Sequence, residues 1–273
     1  MLNKSDLQII DTFNPVENTK DKRIFTVKNS DVLLDDKPFL SIRIAASLAE
    51  LGFTPAADLE ATVNKYARRL EQVEGKILWR EFKGVLMAEK PSIGIEFLRR
   101  TGILQIILPE LNDCFGVKQN IKYHKYTVYE HCLLACDSSV DEVRIRLAAL
   151  IHDVGKPITK NTNNNGITFH KHEVASTKMC RLIVRRFGLN KKDANFITLL
   201  VSNHMYQYDR VWKDATVKKF ITKVGLSKEY IGRINEFPLF QIRHADRMGR
   251  GLAPNTRKQQ DFEDRIEKVL KEM

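Results

Sequence analysis

LAALIHDVGKP, residues 147–157 of a 273-residue chain, sets an apolar run against a His, an Asp and a Lys. The run reads as the last turns of a helix, with Gly155 and Pro157 as ordinary stop signals. His152 and Asp153 then stand at a helix C-terminus, where the backbone dipole disfavours an acid unless a cation is close. The dipeptide is either an ordinary helix end or part of a metal centre, and partners elsewhere decide between them. The candidates are His131 in VYEHCLLA, His172 in FHKHEVAS, His204 in VSNHMYQ and Asp246 in RHADRMGR, each on a separate helical stretch. Such side chains converge only in a helical bundle whose facing helices project into one core.

Around this stretch the pattern is helical. Helices are predicted over 127–137, 141–153, 172–187, 191–204, 214–224 and 238–247, and QQDFEDRIEKVLKEM (259–273) reads as an exposed charged helix. ITKNTNNNGITFHKH (158–172) reads as a long Asn-rich loop beside the candidate site. Upstream, PFLSIRIAASLAEL (38–51), AADLEATVNKYARRLEQV (56–73), ILWREFKGVLMAE (77–89) and PSIGIEFLRRTGIL (91–104) are amphipathic stretches broken by Gly52, Gly75 and Pro91. The polar segment DCFGVKQNIKYHKY (113–126) marks a domain boundary near residue 116. LQIIDTF (7–13) and RIFTV (23–27) are β-prone runs too short to stand alone, so they should dock on something. The expected organisation is all-α: a β-prone remnant at 1–34, a helical neck at 35–115 and a helical bundle at 116–273.

The chain carries no apolar stretch of membrane-spanning length, and its first residues lack the shape of a signal peptide. Cys114, Cys132, Cys136 and Cys180 form no CxxC pair and are too sparse for a disulfide framework, which implies a reducing, cytoplasmic setting. Cys132 and Cys136 lie one helical turn apart beside His131, a spacing open to zinc, although small buried side chains are the simpler reading. A net charge of +11 favours polyanionic partners, nucleic acid above all. KMCRLIVRRFGLNKK (178–192) concentrates that charge. Met179, Leu182, Ile183 and Phe187 mark its apolar face, and Lys178, Arg181, Arg185 and Arg186 supply a basic surface for phosphates.

Imidazole nitrogens suit Zn, Ni or Fe and carboxylate oxygens admit Mg or Mn, so the mixed set predicts a divalent metal, one ion or two, without naming it. Asp153 has two oxygens and can bridge two ions; such a centre clamps a phosphoryl oxygen and activates water. Lys156, just past Gly155, can reach phosphate as a mobile cation. His124, His170 and His244 read as ordinary core or surface residues.

The ordered series His131, His152-Asp153, His172, His204 and Asp246 resembles the HD superfamily of metal-dependent phosphohydrolases. YHKYTVYEHCLLA, RLAALIHDVGKP, FHKHEVAS and HADRMGRG are similar to the landmarks of the HD domain of bacterial CCA-adding tRNA nucleotidyltransferases of the poly(A) polymerase family, in the same order. LPELNDCFGVKQNIKYHKY resembles that family's join between neck and HD domain. DDKPFLSIRIAASLAELGF resembles the opening of its neck, and IDTFNPVENTKDKRIFTV the last piece of its catalytic head.

Two departures shape the functional expectation. The family's Gly-Ser phosphate loop and paired acidic residues have no counterpart here, because the chain starts after them. Its base-pairing Glu-Asp-x-x-Arg, aligned on Pro38, reads Asp36, Lys37 and Leu40; Lys accepts no hydrogen bond and Leu makes none. The resemblance therefore implies a phosphohydrolase acting on nucleotide or RNA-end phosphate esters, with 2′,3′-cyclic phosphate or 2′-phosphate favoured. His131, His152, Asp153 and Asp246 would hold a first ion, His172 and His204 a second, and Lys156 or Arg247 would offset phosphoryl charge. RNA or a nucleotide is the expected partner, with tRNA among the candidates and no membrane. The competing expectation is a non-catalytic RNA-, tRNA- or partner-binding module using the basic surface alone. The oligomeric state is open.

Overall fold

Proline and glycine punctuation sets where the helices begin and end. The computed structural model describes residues 22–24, 30–163, 166–206, 212–251 and 257–273, and they form an all-α protein with two small two-stranded ribbons. The chain divides into two compact units. One runs to Asp113 and takes in Leu182–Asn190; the other comprises Cys114–Arg181 and Lys191–Met273.

The first unit contains β1 (Arg23–Ile24), α1 (Ser30–Asp36), α2 (Leu40–Leu51), β2 (Thr54–Pro55) and α3 (Ala57–Tyr66), which tightens into a 3-10 turn at Ala67–Gln72. Then follow α4 (Gly75–Leu86), α5 (Pro91–Arg100), α6 (Ile103–Ile107) and α7 (Pro109–Asn112). β1 pairs in parallel with β2, Arg23 opposite Thr54, so part of RIFTV does dock on the helical body; LQIIDTF lies outside the described residues. α2 packs against both α4 and α5. A Cβ at Gly94 would come within 2.6 Å of the Ala45 carbonyl oxygen, so the glycine lets the backbones of α5 and α2 approach closely. The buried Glu81 carboxylate of α4 accepts two hydrogen bonds from the Arg43 guanidinium, at 2.9 and 3.0 Å, which offsets part of its desolvation. Phe187 closes the unit by stacking on Phe82, ring centroids 5.5 Å apart.

The second unit is the bundle. It contains α8 (Val128–Asp137), α9 (Val143–Ile151), α10 (Lys156–Thr159), β3 (Lys160–Asn163), β4 (Gly166–Phe169) and α11 (His172–Arg186), whose last turn and a half belongs to the first unit. It continues with α12 (Lys191–Asn203), α13 (Asp214–Val224), α14 (Pro238–Gly249) and α15 (Arg257–Glu272). α8, α9, α12 and α14 pack on one another, and α9 is buried along its whole length from Ile145 to Ile151, as a central helix must be. A capping box between Thr127 and Glu130 starts α8 at Val128, three residues before His131, and Glu142 caps α9 by accepting from the Arg144 and Ile145 amides.

Three expectations need correction. The Asn-rich segment contains an antiparallel hairpin rather than being a loop throughout, with Asn163 opposite Gly166. The closing helix is amphipathic rather than exposed, burying Phe262, Ile266, Val269 and Leu270 on one face. In α11, Leu182 is 53% exposed, and the buried stripe is Cys180, Ile183, Val184 and Phe187, the i, i+3, i+4, i+7 face. All four cysteines are buried and none is in a disulfide.

A Cβ on Gly75 would sit 1.8 Å from the carbonyl oxygen of Arg186, which forces the backbones at 75 and 186 apart. Gly75→Ala is expected to destabilise the protein by about 1–3 kcal/mol, as overpacking does. Thermal melting checks this; an unchanged midpoint would show that the segment yields without cost.

Candidate metal centre

The bundle brings the six sequence-predicted ligands to one buried point. His131 projects from the middle of α8, His152 caps α9, Asp153 lies in the turn after it, His172 opens α11, His204 follows α12, and Asp246 projects from α14. All are buried, with Asp153 at 2% exposure. Asp153 stands between the others. Its Oδ2 is 3.2 Å from His131 Nε2, 3.1 Å from His152 Nε2 and 2.6 Å from Lys156 Nζ. Its Oδ1 is 3.2 Å from His172 Nε2 and 3.6 Å from His204 Nε2. Asp246 Oδ1 lies 3.3 Å from His131 Nε2, while its Oδ2 accepts from Arg243 at 2.6 Å.

Hydrogen bonding aims the imidazoles. The Nδ1–H groups of His152, His172 and His204 donate to the carbonyls of Ala149, Phe169 and Val201 at 2.7, 2.8 and 2.7 Å. Each Nε2 lone pair therefore faces the centre, the tautomer a metal ligand requires. The result is a set of acceptors pointed at acceptors. His131 Nε2 and His152 Nε2 are 3.1 Å apart, and Asp153 Oδ1, His172 Nε2 and His204 Nε2 are buried without a hydrogen-bond partner. Such an arrangement holds only with cations or protons between its members. Two sets of donors close enough to share an ion emerge, His131–His152–Asp246 and His152–Asp153–His204. The residues thus fit a divalent ion.

Proton binding tells the same story. Burial opposes ionisation of Asp153, but the charges of His152 and Lys156 and hydrogen bonds from His131 and His152 hold it well below the ordinary carboxylate range. For Asp246, burial is likewise outweighed, by Arg243 and His131. Burial works against a charged His131 and His172, yet their contacts with Asp153 raise both. Burial lowers His204, and it drives His124 down to about 3.

Two glycines make the convergence possible. A Cβ at Gly155 would lie 2.6 Å from the His172 carbonyl oxygen and 2.5 Å from the Ser176 nitrogen. Its amide donates to Ser176 Oγ at 2.9 Å, so the turn carrying Asp153 lies directly on the start of α11. A Cβ at Gly249 would lie 2.8 Å from the His131 carbonyl oxygen and 3.0 Å from its Nδ1. Gly155 is more than the stop signal that the sequence suggests.

The centre floors a cavity of about 250 Å³. Lys156 stands in it, held by Asp153 and by the Gln119 side chain, whose oxygen accepts from Nζ at 2.8 Å. Arg247 does not reach the cavity: it is buried on another face of α14 and donates to Gln259. Arg250, one turn beyond Asp246, lines the cavity and lies 3.5 Å from Asp246 Oδ2. The i, i+4 spacing from Asp246 was the available signal for Arg250. His124, assigned from sequence to ordinary packing, also lines the cavity, its ring edge-on to His131 at 4.9 Å. Of the four basic residues expected on α11, Lys178, Arg181 and Arg185 are exposed, while Arg186 is bound by Glu110 through bonds of 2.8 and 2.6 Å.

Comparison with known proteins agrees with this arrangement. Residues 121–231 match the family model described as HD domain, and residues 52–115 match one described as probable RNA and SrmB-binding site of polymerase A. The chain resembles the neck and HD domain of CCA-adding enzymes. It is 28% identical over 234 residues to a Multifunctional CCA protein of Methylobacillus flagellatus, covering 82% of this chain and 56% of that one. A Multifunctional CCA protein of Paraburkholderia phytofirmans is 34% identical over 158 residues, covering 55% of this chain and 38% of that one. The chain spans about half the length of the first of these curated relatives and less of the second. Among solved structures, a tRNA-processing enzyme (apo form 2) aligns with TM-score 0.51 and 14% identity over 96% of this chain and 67% of that one. A CCA-adding enzyme with ATP aligns with TM-score 0.50 and 11% identity over 92% and 52%. These two likenesses show the fold alone. Asp246 lies beyond the HD match, and the structure brings it to the centre.

Gly249→Ala is expected to push α14 from α8 at His131 and to weaken divalent-ion binding at least tenfold, read by calorimetric titration; unchanged affinity would mean the helices adjust without moving the imidazole. For the metal-free protein the pH dependence follows from the shifts above. His131 and His172, raised, contribute stability that is complete below 6.5 and lost as pH rises through their folded values. His124 and His204, lowered, contribute stability that is complete above 6.5 and lost as pH falls below it. Asp153 and Asp246 add a loss at still lower pH, below 3.8. Thermal melts across pH are expected to peak near pH 6.5 and fall on both sides, whereas a midpoint still rising toward pH 9 would contradict the proton assignments.

Proposed function

We propose that the protein is a metal-dependent phosphohydrolase acting on nucleotide or RNA-end phosphate esters, with 2′,3′-cyclic phosphates and 2′-phosphates as the favoured substrates. The observation that carries this reading is the convergence of four imidazoles and two carboxylates on one buried point at the floor of a cavity that also holds Lys156 and Arg250. His131, His152, Asp153 and Asp246 would hold one divalent ion, and His172 and His204, together with Asp153, a second. A bound divalent ion supplies polarisation of the phosphoryl oxygen and acidification of water.

The remaining work falls to the chain. The carbonyls of Ala149, Phe169 and Val201 keep the proton on Nδ1, so each Nε2 stays available without rearrangement. Lys156 and Arg250 place positive charge beside the phosphoryl oxygens, where negative charge grows during displacement. Burial of the floor keeps these charges effective by excluding bulk water. Lys178, Arg181 and Arg185 are exposed and form the basic surface proposed to hold an RNA backbone, tRNA among the candidates. Buried cysteines, none in a disulfide, support a reducing, cytoplasmic setting, and among the described residues no helix is long and apolar enough to cross a membrane.

A second reading, a non-catalytic RNA-binding module, is favoured by the match of residues 52–115 to a probable RNA-binding site. Hydrolysis separates the two. Purified protein with Mn, Ni, Mg or Zn is expected to turn over 2′,3′-cyclic AMP or an RNA ending in cyclic phosphate, and Asp153→Ala to lower the rate by at least a hundredfold. No turnover together with no bound metal by elemental analysis would leave the binding module as the function.

A further inference from the structure

The cavity floor accounts for a phosphate ester, but its mouth carries features that the floor does not use. Residues 119–124 form one wall. The Gln119 amide donates to the Tyr126 carbonyl at 3.2 Å while its oxygen accepts from Lys156, and the Tyr123 and His124 amides both donate to the Asn120 carbonyl, at 3.0 and 3.1 Å. The hairpin strand β4 forms a second wall. Tyr123 lines the cavity and is 62% exposed, so an aromatic side chain is open to contact at the mouth. His124 and Thr168 also line the cavity, and each carries a buried polar atom, Nδ1 and Oγ1, with no hydrogen-bond partner among the described residues. Buried polar atoms of this kind call for a ligand or water to complete them. Size then decides the arrangement. At about 250 Å³ the cavity lies at the small end of ligand pockets, which run to roughly 300–1,000 Å³ for drug-sized molecules. A phosphate and its sugar fit; the base has to remain at the mouth.

We propose that the mouth is a nucleoside subsite, in which ribose hydroxyls satisfy His124 and Thr168 and the base stacks on the Tyr123 ring. This rests on the phosphohydrolase reading for what occupies the floor, and it narrows the substrate to a mononucleotide or an unstacked chain end. A base inside a duplex cannot leave its neighbours to lie on a protein ring without unstacking. Stacking of this sort tolerates any base, so little sequence preference is expected.

The test is binding of the methylenephosphonate analogues of adenosine 2′-phosphate and of base-free ribose 2′-phosphate, in which CH2 replaces the ester oxygen so that neither can be hydrolysed, to the Mn-loaded protein. The wild type is expected to bind the adenosine compound about tenfold more tightly. Tyr123→Ala is expected to remove that difference while leaving the ribose compound unaffected, and Tyr123→Phe to retain it. Thr168→Val is expected to weaken both compounds. Equal affinities in the wild type, a Tyr123→Ala change that weakens both alike, or failure of both to bind overturns the subsite. Because the base-dependent gain is read without turnover, it stands or falls separately from hydrolysis. A protein that shows the gain but hydrolyses nothing keeps the subsite and loses the phosphohydrolase reading.

Discussion

An ionised carboxylate sealed from water must be surrounded by groups that stabilise its charge, and Asp153 imposes that requirement on the whole bundle. Its neighbours come from α8, the end of α9, the start of α10, the start of α11 and the end of α12. No two of those elements could drift apart without leaving charge uncompensated in a dry interior. The helices are therefore held by more than apolar contact: α9 contributes a fully buried apolar length, and its C-terminus delivers the carboxylate to the point where the others meet. Lys156 fills the place of a cation on Oδ2, beside His131 and His152, and His172 and His204 stand on Oδ1.

The chemistry depends on backbone details as much as on the ligands. Three imidazoles donate to the carbonyl three residues earlier, a local bond that any helix end can offer, and this sets the tautomer before any ion or substrate arrives. Gly155 and Gly249 are where one backbone passes another too closely for a Cβ. Together these produce a rigid floor, while the loop at 119–124 and the hairpin, anchored to that floor through Gln119 and Lys156, provide walls. Preorganisation of this kind lets a small number of charges act without rearranging, as the proposed phosphohydrolase would require.

Much of this was legible in the residues. The helix stop at Gly52 and the apolar periodicity placed most helices within a residue or two of where they lie. The series His131, His152-Asp153, His172, His204 and Asp246 stood out as an ordered set resembling the HD superfamily, and the bundle brings these residues to one buried point. Other features were not. The hairpin at 160–169 was masked by a polar composition that loops share. Arg247 and Arg250 differ only by which side of α14 they leave, and the choice depends on the face that Asp246 presents to α8. His124 carries no periodic signal at all, since it sits in a loop whose path is set by Asn120 and Gln119.

The sequence by itself determined the helical class, the order of the candidate His and Asp residues and the need for a cation near Asp153, because periodicity, capping and charge are local properties that survive without coordinates. Only the tertiary structure decided which atoms face each other, which cations reach the cavity, and that a loop and a hairpin wall it in. Those are relations between segments far apart in the chain. They arise from packing, where a fraction of an ångström at Gly155 or Gly249 decides whether two backbones can pass, and no pattern along a single segment records that distance.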